Sequence, residues 1–206
     1  MLTGSDIVQL NVAGTSIIVL DSEEAISELL EERSAIYSSR PRMPMINELM
    51  GWGFNSGMMP YGDEWRSHRR LMHKQLHQPE RFQPHQLRAT HGLLRRLLDE
   101  PNNLERHLRQ MAGETIISVT YGIEVQDKDD PYIIAAERAI GPLFIAAIPG
   151  TFLVDALPIL KYVPDWMPFA GFKRKAKKWR ELALAMVNMP FEAATRNVVS
   201  LCYMAS

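Results

Sequence analysis

The spacing of apolar residues changes early in the chain, from a strand pattern to a helical pattern. Residues 6–20, DIVQLNVAGTSIIVL, carry apolar and β-branched side chains on both sides of Ala13-Gly14, which predicts a hairpin. Asp21 and Glu24 then form a capping-box pattern, and apolar residues follow at intervals of three and four. We therefore expect a small hairpin over residues 6–20 and helices beyond residue 21.

Most of the remaining chain has helical spacing, interrupted by segments rich in proline and glycine. One helix is predicted from Glu64, with Asp63 as its cap, and a last one begins near Phe172. The fold class is therefore mainly α with a small amino-terminal β-hairpin. The other predicted helices cover residues 86–99, 104–120 and 131–147.

The most apolar window of the chain runs from Ala139 to Leu160 and is long enough to span a bilayer. Three prolines interrupt it, and Asp155 would lie unpaired in lipid. We interpret the window as a core helix followed by an apolar loop. No transmembrane segment is predicted.

Composition and charge give no support for a nucleic-acid-binding, disulfide-stabilised or metal-binding protein. The 206 residues are 46% hydrophobic and 23% charged with a formal net charge of -1, which is typical of a globular protein and gives no bulk signal for nucleic acid. The single cysteine, Cys202, excludes an internal disulfide and a cysteine-rich zinc site. His73 and His77 are one helical turn apart, but no third ligand lies nearby in sequence, so we predict no metal site there.

An arginine stands among apolar residues in the stretch GDEWRSHRRLMHKQL. On a helix, Trp65, Arg69 and Met72 share one face. A guanidinium that leaves water requires an anionic partner. From the spacing alone, Arg69 can extend along the helix into water, pair with an acid such as Glu64 or Glu105, or bind an external anion.

An ordered series of short motifs resembles the amino-terminal half of a cytochrome P-450, a haem-thiolate monooxygenase, and is similar to fungal members of secondary metabolism. The resemblance predicts a partial cytochrome P-450 domain over residues 1–197 and an unmatched tail over residues 198–206. The motifs are Tyr37-Ser38-Ser39-Arg40-Pro41, Pro60-Tyr61-Gly62 with Trp65-x-x-x-Arg69, Thr120-Tyr121-Gly122, and Leu160-Lys161-Tyr162-Val163-Pro164-x-Trp166.

The resemblance implies a haem cofactor whose propionates are bound by Trp65 and Arg69, with His68 beside them. It also implies a small lipophilic substrate, an NADPH-dependent reductase as electron donor, and no nucleic-acid partner. A full-length relative is expected on the cytosolic side of the endoplasmic reticulum membrane. The residues expected to line a substrate pocket are Phe54, Met58, Phe144 and Ile148.

The motifs that carry the family's chemistry are absent from the sequence. It contains no A-G-x-D-T-T, no E-x-x-R and no F-x-x-G-x-R-x-C-x-G, and Cys202 in VVSLCYMAS lacks the surroundings of an axial ligand. The thiolate promotes O–O cleavage, so a chain without it does not perform the reaction. We therefore expect a fragment with no catalytic residue, no metal ligand and no amino-terminal anchor, inactive by itself.

A second hypothesis comes from the basic run between Lys173 and Arg180. A basic amphipathic helix can lie on an anionic membrane or bind a partner, which would make the chain a non-enzymatic interaction module. The same run is also consistent with a solvated helix face.

Overall fold

The predicted hairpin is present. The computed structural model describes residues 6–12 and 15–204, and the predicted turn at residues 13–14 lies outside them. Strands β1 (Ile7–Val12) and β2 (Thr15–Leu20) are antiparallel, with Ile7 opposite Leu20 and Val12 opposite Thr15. They form a two-stranded sheet.

The first helix begins one residue later than the capping-box pattern predicted. Helix α1 (Glu23–Ile26) is capped by Ser22, whose hydroxyl accepts a hydrogen bond from the Ala25 backbone N–H at 3.2 Å. The prediction of Asp21 as the cap was wrong, because Ser22 has the extended backbone that lets its side chain reach that amide. A π-helical segment, 27–32, continues the helix, and α2 (Ser34–Tyr37) follows.

Helices make up most of the rest of the chain. The helix predicted from residue 86 begins earlier, at Pro79, because proline suits a first helical turn and the later Pro84 is tolerated within the helix. Gly122, with φ of 64°, ends the third long helix as expected for a glycine cap. The helices are α3 (Asp63–Leu76), α4 (Pro79–Asp99), α5 (Leu104–Tyr121), α6 (Pro131–Ala147), α7 (Leu153–Ala156) and α8 (Gly171–Met204).

The apolar segment between α2 and α3 forms part of the main core. A π-helix, Met45–Leu49, and a 3-10 helix, Trp52–Phe54, place its methionines and Trp52 against α6, α7 and α8. The segment is therefore a packed element and not a solvated connector. The buried members of this cluster are Met45, Ile46, Met50, Trp52, Ala139, Leu143, Ala146, Val154, Ala176 and Ala183.

Two polar contacts tie the segment to the residues after α6. The Asp155 carboxylate accepts a hydrogen bond from the Met45 backbone N–H at 2.9 Å. Glu48 accepts from Arg42 at 2.8 Å and also pairs with Lys161. The contacts of Met45 with Asp155 and of Glu48 with Lys161 each join residues that are more than a hundred positions apart in the chain.

The apolar window from residue 139 to residue 160 is divided between a helix and irregular structure. Helix α6 ends at Ala147, and a 3-10 helix, Pro158–Tyr162, follows α7. Among the described residues, no helix combines the length and the hydropathy needed to cross a bilayer.

Candidate functional site

The start of α3 is organised by local contacts. Gly62 occupies the cap position and offers no side chain, so the prediction that Asp63 caps the helix was wrong. Asp63 is the first helical residue, and its carboxylate pairs with Arg66 and raises the pKa of that guanidinium. Arg66 also lies over the Tyr61 ring, 5.5 Å from its centroid, and Tyr61 contacts the Trp65 ring at 5.3 Å.

The Arg69 guanidinium is exposed and has no partner within the described residues. Neither acid considered from the sequence pairs with it, and Glu105 instead holds Arg109 at 2.5 Å. Trp65 and His68 on the same helix are half-buried. Their indole and imidazole N–H groups are also hydrogen-bond donors. The helix thus presents a free cation beside two polar rings, a donor set that fits a carboxylate.

An apolar cavity of about 680 Å³ lies between α5, α6 and α8. Two of the four residues expected to line a pocket, Phe54 and Phe144, are on its wall. The other two are not: Met58 packs against the main core cluster, and Ile148 is exposed after the end of α6. Trp65, His68 and Arg69 do not line this cavity, so the structure does not bring the two predicted groups of residues into one site.

Sequence reasoning missed most of the cavity wall. Gly113 in α5 allows α6 to approach closely, because a Cβ there would lie 3.0 Å from the Ile133 side chain. A glycine inside a helical pattern is a signal for such close packing. The missed apolar wall residues include Ala112, Gly113, Ile116, Ile117, Ile133, Ala136, Ile140, Met186 and Val187.

Two charged side chains, both exposed, belong to the cavity wall. Arg109 forms an ion pair with Glu105 on the preceding turn of α5. Glu137 on α6 forms no ion pair or hydrogen bond within the described residues. The wall is mostly apolar and therefore suited to an apolar ligand, and its polar groups come from these two side chains and from Tyr121 and Tyr132.

His73 and His77 stack on each other on the surface of α3, with ring centroids 4.6 Å apart. The part of the chain that the structure describes contains no group of three or more histidine, cysteine or acidic residues placed to hold a metal ion. The Cys202 side chain lies outside the described part.

Comparison with known proteins gives one family. A sequence model of cytochrome P-450 matches residues 3–194. The chain is 46% identical to cytochrome P-450 monooxygenase 98 of Postia placenta over 205 residues, which cover 98% of this chain and 39% of that protein. It is 43% identical to the tryptamine 4-monooxygenase of Psilocybe cyanescens over 197 residues, which cover 95% of this chain and 39% of that protein.

The chain belongs to the cytochrome P-450 family. The family model matches nearly its whole length, and the predicted class, mainly α with one small hairpin, is confirmed. The chain spans about two-fifths of the length of these curated relatives. The relatives are fungal monooxygenases, so membership in an oxidoreductase family that binds haem is also confirmed.

Proposed function

We propose that the chain forms the amino-terminal part of a haem-dependent monooxygenase that inserts oxygen from O₂ into a small lipophilic substrate. Electrons would come from an NADPH-dependent reductase, and the enzyme would work on the cytosolic side of the endoplasmic reticulum membrane. Family membership and the apolar cavity support this proposal. The 206 residues alone would not turn over, because the sequence contains no axial-thiolate motif.

Arg69 is the observation that carries the haem part of the proposal. The cation is exposed, unpaired and beside two ring N–H donors on one helix. A propionate would accept charge-assisted hydrogen bonds from Arg69, with Trp65 and His68 adding neutral ones. When bound and ligated by a thiolate, haem supplies the oxygen activation, and the role of these three residues is to hold its carboxylates.

The substrate part of the proposal uses the cavity between α5, α6 and α8. Phe54 and Phe144 would contact an aromatic or aliphatic substrate, and the size of the cavity suits a small molecule. One relative is named for its action on tryptamine, which is a molecule of this size class. Met58 and Ile148 would have to move to reach such a ligand, so we assign them no contact.

A haem titration of the purified chain tests the propionate assignment. We expect Arg69→Ala to bind haem at least about tenfold more weakly than wild type, because a charge-assisted hydrogen bond contributes roughly 1.5–3 kcal/mol. Arg70→Ala is the matched control, since Arg70 is the next exposed cation on α3 and should leave affinity unchanged.

Haem dimethyl ester makes the test specific for the propionates. Its carboxylates are blocked, so wild type and Arg69→Ala should bind it equally. Equal affinities for unmodified haem would show that Arg69 is not a propionate ligand.

Sequencing the transcript beyond the codon for Asn197 tests the enzyme assignment separately, since an open frame with no F-x-x-G-x-R-x-C-x-G motif within a few hundred codons would contradict it.

A further inference from the structure

A small cavity of about 120 Å³ lies where the loop after α5 packs against α4, α5 and the start of α6. Most of the residues that line it are polar, in contrast to the apolar cavity described above. The two cavities share only Ile133 and Glu137, and none of the residues proposed to contact haem or substrate lines the small one. The small cavity therefore has no role in the function proposed above.

Arg96 on α4 brings a largely buried guanidinium to the wall of this cavity. Its side chain is 13% exposed, and its Nη2 pairs with the Glu114 carboxylate on α5 at 3.5 Å. Its Nε and Nη1 are buried and have no hydrogen-bond partner within the described residues. The Asp127 carboxylate stops 3.6 Å from Nη1, which is too far for a normal hydrogen bond. Gly92 makes room for the guanidinium, because a Cβ there would lie 3.2 Å from Nη1.

His107 on α5 is the second buried polar group of the wall. It is 2% exposed, and its Nε2 lies 2.9 Å from the Glu100 carbonyl oxygen. Because a carbonyl can only accept, Nε2 carries the hydrogen, and in the neutral ring Nδ1 is then an acceptor. Nδ1 is buried and has no partner in the described part of the chain. Native proteins leave few buried polar groups unpaired, and an ion that binds beside them is one explanation of those that remain.

The charges around the cavity favour an anion over a metal ion. Arg106 and Lys128 share a single carboxylate, that of Glu100, at 3.4 and 3.9 Å, so one of their two positive charges is not compensated by it. The Asp130 carboxylate already accepts three backbone N–H groups at 2.8–3.2 Å. The other acids of the wall are exposed, so solvent screens them. Among the described residues, no three histidine, cysteine or acidic side chains are placed to hold a metal ion.

We propose that this cavity binds a phosphate group. The phosphate oxygens accept hydrogen bonds from the unpaired N–H groups of Arg96, and a P–O–H group donates to His107 Nδ1. Arg106 and Lys128 supply positive charge from the exposed part of the wall. The bound phosphate joins α4, α5 and the loop before α6. The inference is independent of haem binding and of the substrate cavity.

Calorimetric titration of the 206-residue chain with sodium phosphate tests the proposal. At pH 8 and constant ionic strength, wild type should bind one phosphate with a saturable heat. Sulfate should bind at least about tenfold more weakly, because it carries no O–H to donate to His107 Nδ1. Arg96→Met should lower the affinity for phosphate at least about tenfold, since it removes the charged donors.

Two variants of the exposed loop test the site without changing a buried side chain. Asp127→Asn should bind phosphate about threefold more tightly, because it removes the carboxylate that competes for Arg96. Lys128→Met should bind phosphate about threefold more weakly. The matched controls are Asp99→Asn and Arg95→Met, which remove the same charges from exposed positions of α4 outside the cavity and should bind like wild type.

Glycerol 3-phosphate distinguishes the two sources of a phosphate group. If it binds more weakly than inorganic phosphate, the site takes the free ion, because the cavity then has no room for the glycerol group. If it binds at least as tightly, the site takes a phosphate monoester whose organic part extends into solvent beside Lys128. Either result supports a phosphate site.

Several outcomes would overturn the proposal, and none of them affects the haem titration. Wild type without saturable phosphate binding has no such site. Unchanged affinities in both Asp127→Asn and Lys128→Met, or an equal loss in Arg95→Met, would mean that phosphate binds elsewhere or to surface cations in general. Sulfate that binds as tightly as phosphate would remove His107 from the site. Circular dichroism checks the fold of Arg96→Met, and if this variant is unfolded the two loop variants decide the result.

Discussion

The segment between α2 and α3 and helix α3 itself are adjacent in sequence and opposite in packing. The segment buries Met45, Ile46 and Met50 completely against helices from the end of the chain. Helix α3 has a clear apolar side but buries none of its residues, and Leu71 remains 61% exposed. The segment between α2 and α3 is therefore packed against other parts of the described chain, whereas the apolar side of α3 is not covered by any of them.

This difference separates structural residues from residues that are free to bind something else. A buried side chain contributes mainly to stability, whereas an unpaired cation on an uncovered helix has no structural role in the described chain. The polar residues of the two regions follow the same division. Asp155 and Glu48 join distant parts of the fold, while the ion pair of Asp63 with Arg66 stays within one helix.

A core truncation tests the comparison most strongly. Ile46→Ala should lower the free energy of unfolding by about 2–5 kcal/mol, because it removes buried methyl groups and leaves a cavity. Leu71→Ala on α3 should change it by less than about 0.5 kcal/mol. Urea unfolding followed by circular dichroism measures both. Similar losses for the two variants would mean that α3 is packed in solution and that the contrast is wrong.

Loss of the hydrogen bond from the Met45 N–H to the Asp155 carboxylate should have a smaller effect on the free energy of unfolding. Asp155→Ala leaves the Met45 N–H without its acceptor and should cost about 1–3 kcal/mol. Asp155→Asn keeps an acceptor oxygen, so it should destabilise the fold much less than Asp155→Ala does.

The pH dependence of the Asp155 variants follows from the pKa of this carboxyl. Burial raises the pKa, so the folded state disfavours the carboxylate at neutral pH. A raised pKa contributes stability that is fully present below the unfolded value and is lost as pH rises through the folded value. Asp155→Asn should therefore equal or exceed wild type in melting temperature at pH 7 and lose this advantage near pH 4. An Asn variant as damaged as the Ala variant would show that the charge itself is needed.

The sequence predicted the elements better than their packing. Local signals located the hairpin, the long helices and the glycine that ends α5, because turn chemistry and helical spacing depend on neighbouring residues. The cap at Ser22 and the start of α4 were missed by one to several residues, since several residues could begin each helix.

The sequence pointed to the candidate site only through family motifs, for a related reason. The motifs indicate Trp65 and Arg69 by sequence position, and their role as propionate ligands stays a prediction. The cavity wall depends on how three helices pack, so Phe54 and Phe144 were placed on it while Met58 and Ile148 were not. Contacts between residues far apart in sequence leave no local pattern from which to predict them.

The ion pairs of the two regions provide the finest test of the contrast. Glu48→Gln should lower the free energy of unfolding by up to about 1 kcal/mol at pH 7, because Glu48 joins Lys161 and Arg42 at a partly shielded position. Hydrogen bonds from Lys161 and then Arg42 lower the pKa of Glu48, so its stabilisation is present at neutral pH and is lost as pH falls through that lowered value.

Arg66→Gln, the matched change on α3, should have a smaller effect, since its partner Asp63 lies on the same turn and is solvated. Melting temperatures of both variants between pH 7 and pH 3 measure these effects. A larger drop in melting temperature for Arg66→Gln would show that α3 depends on its local ion pair more than the segment between α2 and α3 depends on the pair of Glu48 with Lys161.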